Sequence, residues 1–339
     1  MKSLRWAVIG VGRFGRIHAR ILDQLPGSEL SVLVNRNPEK LAEAAAEFPD
    51  AATAADYAEV LENPEIDVVS ITTHWKDHFS IAKAALEAGK HVFLEKPMAE
   101  TREQCEELLR VAELAKGEFM VGHVCRFDPR VTAAKAAIDA GRIGRVVSMH
   151  AKRNLPKAPG NIRLDKISPL MGDGIHDADM MMWFLAESPT EIYARNVQFG
   201  GFEYPDLGWA MLSFGDDAIG VVETVWCLPE KVATTIDAKM EIIGTEGKIE
   251  IDCANTGVSI VESTGLESRP DTVYWPSQDG VIVGSLPREV AYFADCIRNG
   301  KASDVITPFE AARAVSVMEV AELSANEKRA ISFSFEPSH

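Results

Sequence analysis

The stretch Trp6-Ala7-Val8-Ile9-Gly10-Val11-Gly12-Arg13-Phe14-Gly15 decides the fold. Trp6 to Gly10 reads as a buried strand, and Phe14 to Leu25 as the helix that follows it. The glycines fall at G-x-G-x-x-G spacing where strand passes into helix. Each has a task there. Gly10 permits the tight turn, Gly12 lets the backbone approach a pyrophosphate, and Gly15 lets helix and strand pack closely. The helix N-terminus, opened by Arg13 and Phe14, supplies N–H donors and a positive dipole. The stretch therefore reads as a phosphate cradle for a dinucleotide.

The alternation continues outward from this unit. Strands are expected at 30–34, 67–71, 91–94 and 119–122, with helices at 39–48, 78–88 and 103–115 between them. Gly89 closes one helix and Thr101 caps another. Strand–helix alternation of this kind predicts a parallel sheet covered on both faces, a Rossmann fold. The pattern changes after Gly122. A helix at 129–140 leads into a β-like run at 145–154. A Pro/Gly-rich stretch, 156–172, looks too irregular for a regular element. A helix follows at 177–185. From Glu191 to about Tyr274 successive short strands predict an antiparallel sheet, and helices return at 290–297 and 309–325. The expected organisation is thus a dinucleotide-binding domain over 1–122 and an α+β domain over 123–339, built on a large, mostly antiparallel open sheet for substrate binding and oligomerisation.

Bulk properties bound the function. A chain of 339 residues has room for two such domains. The net charge of −16 argues against nucleic acid or an anionic membrane as partner, because both need a cationic surface. Five scattered cysteines show no CxxC spacing, so zinc-ribbon and disulfide-framework readings fail and a cytoplasmic location is expected. No signal peptide or membrane span is read.

The acidic residue that holds the adenosine ribose is expected roughly 20 residues past the cradle, at the end of the second strand. Asn35 and Arg36 stand there. No carboxylate repels a 2′-phosphate, and Arg36 can pair with one. NADP(H) is therefore the favoured cofactor. Asn35 can still bond a ribose hydroxyl, which leaves NAD(H) open.

Further residues carry a resemblance. Thr72-Thr73-His74-Trp75 with His78, then Ala88-Gly89-Lys90-His91-Val92 leading to Glu95-Lys96-Pro97, resembles the glucose–fructose oxidoreductase / inositol dehydrogenase / MocA family. Gly141-Arg142-Ile143-Gly144-Arg145-Val146, His176-Asp177-Ala178-Asp179 and Gly244-Thr245-Glu246-Gly247 match the same family further along, so the resemblance spans nearly the whole chain. Gly122 to Pro129 looks like the branch that includes sugar-nucleotide 3-dehydrogenases. The resemblance implies an NAD(P)-dependent dehydrogenase or reductase acting on a sugar, inositol, sugar nucleotide or related polyol. It implies an open sheet that often pairs subunits, here into a homodimer or homotetramer, with Trp209, Trp226 and Met240 on the half-exposed sheet. Two other readings stand beside it: a reductase of a non-sugar carbonyl or imine, and a dinucleotide-binding sensor without catalysis.

Oxidising a secondary alcohol requires loss of its proton, delivery of hydride and stabilisation of charge on oxygen. Lys96 sits where a parallel strand ends, the end at which ligands bind. It is assigned to the oxygen, with a pKa lowered by partial burial and by the cofactor. Glu95 is assigned to backbone and cofactor ribose, and a cis Lys96–Pro97 bond is expected. His176 is assigned as general base or acid, since an unperturbed imidazole titrates near ~6.5. The family often carries an aspartate four residues before this histidine, where the present chain has Gly172. Either Asp173 takes that role, or the aspartate is absent. Asp173, His176, Asp177 and Asp179 also permit a metal-cluster reading; none is assigned, because the family needs no metal. Thr72, Thr73, Trp75 and His78 are expected around the cofactor, and Arg126, Arg153 and His176 against substrate.

Overall fold

In a computed structural model, residues 3–336 are described. The chain divides into two compact units. The first runs to Phe127 and takes back Tyr274–Ala312; the second holds Asp128–Val273 and the chain from Arg313 onward. The boundary thus falls five residues beyond the expected one, and the segment 274–312 belongs with the first unit. It belongs there because its side chains finish that unit's core: Phe293 meets Trp6 edge-on at 6.2 Å, and Trp275 meets Phe14 at 5.3 Å.

The first unit contains β1 (Leu4–Ile9), α1 (Arg13–Gln24), β2 (Ser28–Val34), α2 (Pro38–Glu47), β3 (Ala52–Ala54), α3 (Tyr57–Glu62), β4 (Val68–Ile71), α4 (His78–Glu87), β5 (His91–Glu95), α5 (Arg102–Leu114) and β6 (Phe119–Gly122). The strands form a parallel six-stranded sheet in the order β3-β2-β1-β4-β5-β6. Every residue of β4 and β6 is buried, as a sheet covered on both faces requires. The strand order reverses between β1 and β4, which places a crevice at their carboxyl ends. Thr101 caps α5 through the Gln104 N–H, as expected. Two elements went unread, β3 and α3. The latter begins with a capping box in which Asp56 and Glu59 bond each other's backbone.

The second unit contains α6 (Pro129–Asp139), β7 (Val146–Asn154), α7 (Lys157–Leu164), α8 (Ile175–Leu185), β8 (Glu191–Val197), β9 (Leu207–Phe214), β10 (Ala218–Val225), β11 (Asp237–Gly244) and β12 (Lys248–Asp252). Its seven-stranded sheet runs β12-β11-β7-β10-β9-β8, with Ile331–Ser332 at the far edge. All pairings are antiparallel except β7 with β10, so the sheet is mixed. The stretch 156–172 is more regular than its composition promised. Lys157–Leu164 is helical, because Pro156 and Pro159 sit at its start, where a missing N–H costs nothing. Gly160 is required within it: a Cβ there would lie 2.3 Å from the Trp226 carbonyl oxygen.

One face of this sheet is buried and the other open. Along β9, Ala210, Leu212 and Phe214 point inward while Trp209 and Met211 are exposed. Trp226 and Met240, expected on the half-exposed sheet, are buried instead. Trp226 packs with Leu155 and Leu164 in a small core of its own. Among the described residues no helix is long and apolar enough to cross a membrane.

Candidate functional site

In the first unit, a cleft of roughly 320 Å³ opens at the carboxyl ends of β1, β2 and β4; Gly10, Gly12, Asn35, Arg36, Thr72 and Thr73 line it. Gly10 has φ +101°, and a Cβ would stand 2.8 Å from the Thr73 nitrogen, so only glycine serves there. A Cβ on Gly15 would lie 2.3 Å from the Gly10 carbonyl oxygen and 2.6 Å from Thr72 Oγ1. At Gly12, by contrast, a Cβ would meet nothing within 4 Å. No neighbouring atom requires that glycine, and the space above it is open to a ligand. Helix α1 starts at Gly12 with no side-chain cap, as do α4, α7 and α8, while α2, α3, α5 and α6 are capped by Asn37, Asp56, Thr101 and Asp128. The first N–H groups of α1 have no side-chain acceptor at the cap, and N–H groups so placed can receive an anion. Thr73 Oγ1 is buried without a hydrogen-bond partner. The open cradle and the orphaned hydroxyl together fit a dinucleotide.

The remaining expected cofactor residues divide. Arg13 is exposed at the start of α1, and Phe14 packs edge-on against His18 at 5.0 Å. Trp75 lies half-buried on the short 3-10 turn Trp75–Asp77, whose His74 and Asp77 line the cleft. His78 is a correction. It is 1% exposed, and its Nδ1 donates to the Pro97 carbonyl oxygen at 2.7 Å. Burial lowers its pKa, and the imidazole braces the Lys96–Pro97 turn from below.

Lys96 follows β5 at the carboxyl end of the sheet, half-buried, and its bond to Pro97 is cis. The turn is held from below. Glu95 Oε2 accepts from the Lys96 N–H at 3.3 Å, and Glu95 Oε1 lies 3.2 Å from His18 Nε2. The other imidazole nitrogen, His18 Nδ1, is 3.0 Å from Ser70 Oγ. Gly122 has no side chain because one would reach within 2.9 Å of Glu95 Oε1. His18 was missed in the sequence. Its signal was a histidine three residues past Gly15, on the face of α1 that the apolar pattern buries. Replacing His18 by Leu is expected to leave the Glu95 carboxylate short of a partner and to cost about 1–3 kcal/mol of stability, with a fall in turnover. Urea unfolding alongside steady-state rates checks this, and His18→Gln, which keeps a donor, should lose less of both.

Arg126 is a second correction. It is fully buried, and its Nη1 donates to the Val305 carbonyl oxygen at 2.6 Å and to Glu310 Oε1 at 2.9 Å. It ties the returning segment into the first unit and has no surface to offer a substrate.

In the second unit, Leu170–Gly174 forms one π-helical turn that runs straight into α8. His176 sits in the first turn of α8 and is 7% exposed. Asp173 Oδ2 accepts from Trp226 Nε1 at 2.9 Å and from Arg163 Nη1 at 3.3 Å. A Cβ on Gly172 would stand 2.6 Å from Trp226 Cη2, so the indole occupies the space a longer residue would need. Gly172 and Asp173 thus form one arrangement with Trp226. Arg153, expected at the substrate, is 4% exposed and grips Asp177 with Nε at 3.2 Å and Nη2 at 2.8 Å. Burial pushes the Asp177 carboxyl up from its ordinary range, and the arginine opposes that push. The pair locks α8 to β7; it is not presented to a ligand.

Comparison with known proteins agrees with this architecture. Residues 4–123 match an oxidoreductase family with an NAD-binding Rossmann fold, GFO/IDH/MocA, and residues 131–250 match the GFO/IDH/MocA C-terminal domain. Inositol 2-dehydrogenase 2 of Saccharopolyspora erythraea is 31% identical over 280 residues, which cover 79% of this chain and 78% of that protein. The scyllo-inositol 2-dehydrogenase (NAD(+)) of Bacillus subtilis is 30% identical over 317 residues, 91% of this chain and 90% of that one. The crystal structure of scyllo-inositol dehydrogenase from Lactobacillus casei with bound NAD(H) and scyllo-inositol is similar in fold, with a TM-score of 0.83 at 22% identity over 98% of this chain and 99% of that one. The chain belongs to the GFO/IDH/MocA family of oxidoreductases.

Proposed function

We propose that this chain is an NAD(H)-dependent dehydrogenase that moves a hydride between the nicotinamide and a secondary alcohol carbon of a cyclic polyol or sugar. The observation that carries the reading is the open cradle at Gly12, set at the same end of the sheet as the braced Lys96 turn. The family's inositol dehydrogenases support the substrate class.

Bound dinucleotide supplies the hydride acceptor or donor. Gly10, Gly12 and the first N–H groups of α1 would hold its pyrophosphate, while Asn35 and Thr73 would meet hydroxyl or amide groups. Lys96 places an ammonium where charge grows on the substrate oxygen, and lowers the cost of that charge. Glu95, with His18 packed beside its carboxylate, accepts from the backbone of the turn that carries Lys96. His176 is the group suited to accept the hydroxyl proton, because imidazole changes charge near neutral pH. Asp173 acts as a positioning residue. Its bond to Trp226 holds the π turn that leads directly into α8, whose first turn carries His176.

The preference for NADP(H) expected from Asn35 and Arg36 is not supported: the matching family model is NAD-binding, the Bacillus subtilis relative is named for NAD(+), and the Arg36 guanidinium is held by Asp77 at 2.6 Å. The reading is tested by following nicotinamide absorbance with NAD⁺ across inositols, aldoses and sugar nucleotides. Reduction with one class names the substrate. Silence across the whole panel, with NADH still binding, would favour the sensor reading instead.

We also propose that a second copy covers the open sheet face, where Val197, Trp209, Met211, Ile219 and Ile243 are exposed together. A closed homodimer or homotetramer is expected by light scattering at micromolar concentration. A monomer there, or a dimer that Trp209→Glu leaves intact, would contradict this.

A further inference from the structure

We infer that Asp77, which lies outside the glycine fingerprint, sets which dinucleotide the cleft accepts, and that it selects against a 2′-phosphate. The inference rests on the dinucleotide reading above.

The end of β2 carries no carboxylate. Its two amides are turned inward: Asn35 Oδ1 accepts from the Asn37 N–H at 2.9 Å, and Asn37 Oδ1 accepts from the Lys40 N–H at 3.0 Å. Both carbonyls are already engaged by backbone N–H groups, and neither offers a ribose the charged acceptor that a carboxylate would. Two cations, Arg36 and Lys40, line the same wall. Taken alone, they describe a phosphate site. Asp77 reverses that description. It enters the cleft from the turn between β4 and α4, and its Oδ2 lies 2.6 Å from Arg36 Nη2. Its own position is fixed: the Asp77 N–H donates to the His74 carbonyl oxygen at 2.8 Å, and Ser80 Oγ donates to the Asp77 carbonyl oxygen at 3.1 Å.

A 2′-phosphate brings close to two negative charges. A phosphate that pairs with Arg36 does so beside the Asp77 carboxylate, which already neutralises the guanidinium and repels the phosphate. A ribose with free hydroxyls has the opposite relation, because it donates to the carboxylate. Arg36 is largely exposed and the cleft partly open, so solvent screens the effect. The expected discrimination from this one charge is about tenfold.

Equilibrium binding of NADH and NADPH to the whole protein, measured by calorimetry, tests the inference without turnover. The wild-type chain should bind NADH more tightly. Asp77→Asn should improve NADPH binding relative to NADH by about tenfold, because it frees Arg36 and removes the repelling charge. Adding Arg36→Gln to Asp77→Asn should cancel that gain. An unchanged ratio in Asp77→Asn, an equal loss of both ligands, or a wild-type preference for NADPH would overturn the assignment. A wild-type chain that binds neither dinucleotide would overturn the cofactor reading itself, and this inference with it.

Discussion

Lys96→Ala is expected to lower kcat by about 10³-fold while leaving the Kd for NADH within about threefold. The first number reflects the loss of a charged donor at the oxygen. The second reflects geometry: the cradle residues belong to β1, α1 and β4, and the Lys96 turn follows β5. The brace beneath that turn uses the Lys96 backbone N–H and the Pro97 carbonyl, neither of which the substitution removes. Stopped-flow and steady-state rates, paired with calorimetric titration, separate the two effects. Unchanged turnover would show that another group serves the oxygen. Equal loss of turnover and NADH binding would make Lys96 a cofactor ligand and remove it from the chemistry.

Gly15→Ala and Gly12→Ala are expected to fail in different ways. At Gly15 the new methyl meets the Gly10 carbonyl at 2.3 Å and the Thr72 hydroxyl at 2.6 Å, so α1 must move off β1. Overpacking of this kind costs about 1–3 kcal/mol, and the shifted helix no longer presents its N–H groups. Both stability and NADH affinity should fall. Gly12 has open space above it, so its methyl leaves stability unchanged within about 0.5 kcal/mol and weakens only the dinucleotide. Denaturant unfolding and calorimetry on the two variants give the pattern. A Gly12 variant that binds NADH as well as wild type would mean that the pyrophosphate does not lie over this glycine.

The sequence made the parallel sheet legible because its strands are buried on both faces and its turns carry glycine at positions backbone geometry dictates. The antiparallel sheet was legible through its turn residues. What escaped depended on tertiary contact. Nothing local shows that 274–312 returns to the first unit, since Phe293 and Trp275 reveal their place only when Trp6 and Phe14 are beside them. The helix α7 hid behind two prolines and a glycine whose purpose is the nearby Trp226 backbone. The capping box at Asp56 was a local signal for α3 and went unused.

The candidate site divided along the same line. Gly10, Gly12 and Gly15 follow from a fingerprint with a mechanism behind it, and Thr72 and Thr73 from the family resemblance; all but Gly15 line the cleft, and Gly15 packs against Gly10 and Thr72. Arg126, Arg153 and His78 were placed at ligands because they are polar residues near recognisable segments. Each proved to be a buried tie with its own partner. Sequence distance cannot separate a charge aimed at a substrate from one spent on Glu310 or Asp177. His18 was missed for the converse reason, and Asp77, which lines the cleft, was passed over as well. One lies behind the residue it supports, and the other comes from the turn between β4 and α4, which the cofactor fingerprint does not include.

The most direct test of the central claim is isotope transfer. The purified chain would be given NAD⁺ and an inositol deuterated at its carbinol carbons, and the reduced nicotinamide examined by NMR. The account predicts deuterium on the reduced nicotinamide ring, carried directly from the alcohol carbon. Reduced cofactor lacking the label, or label lost to solvent, would contradict it.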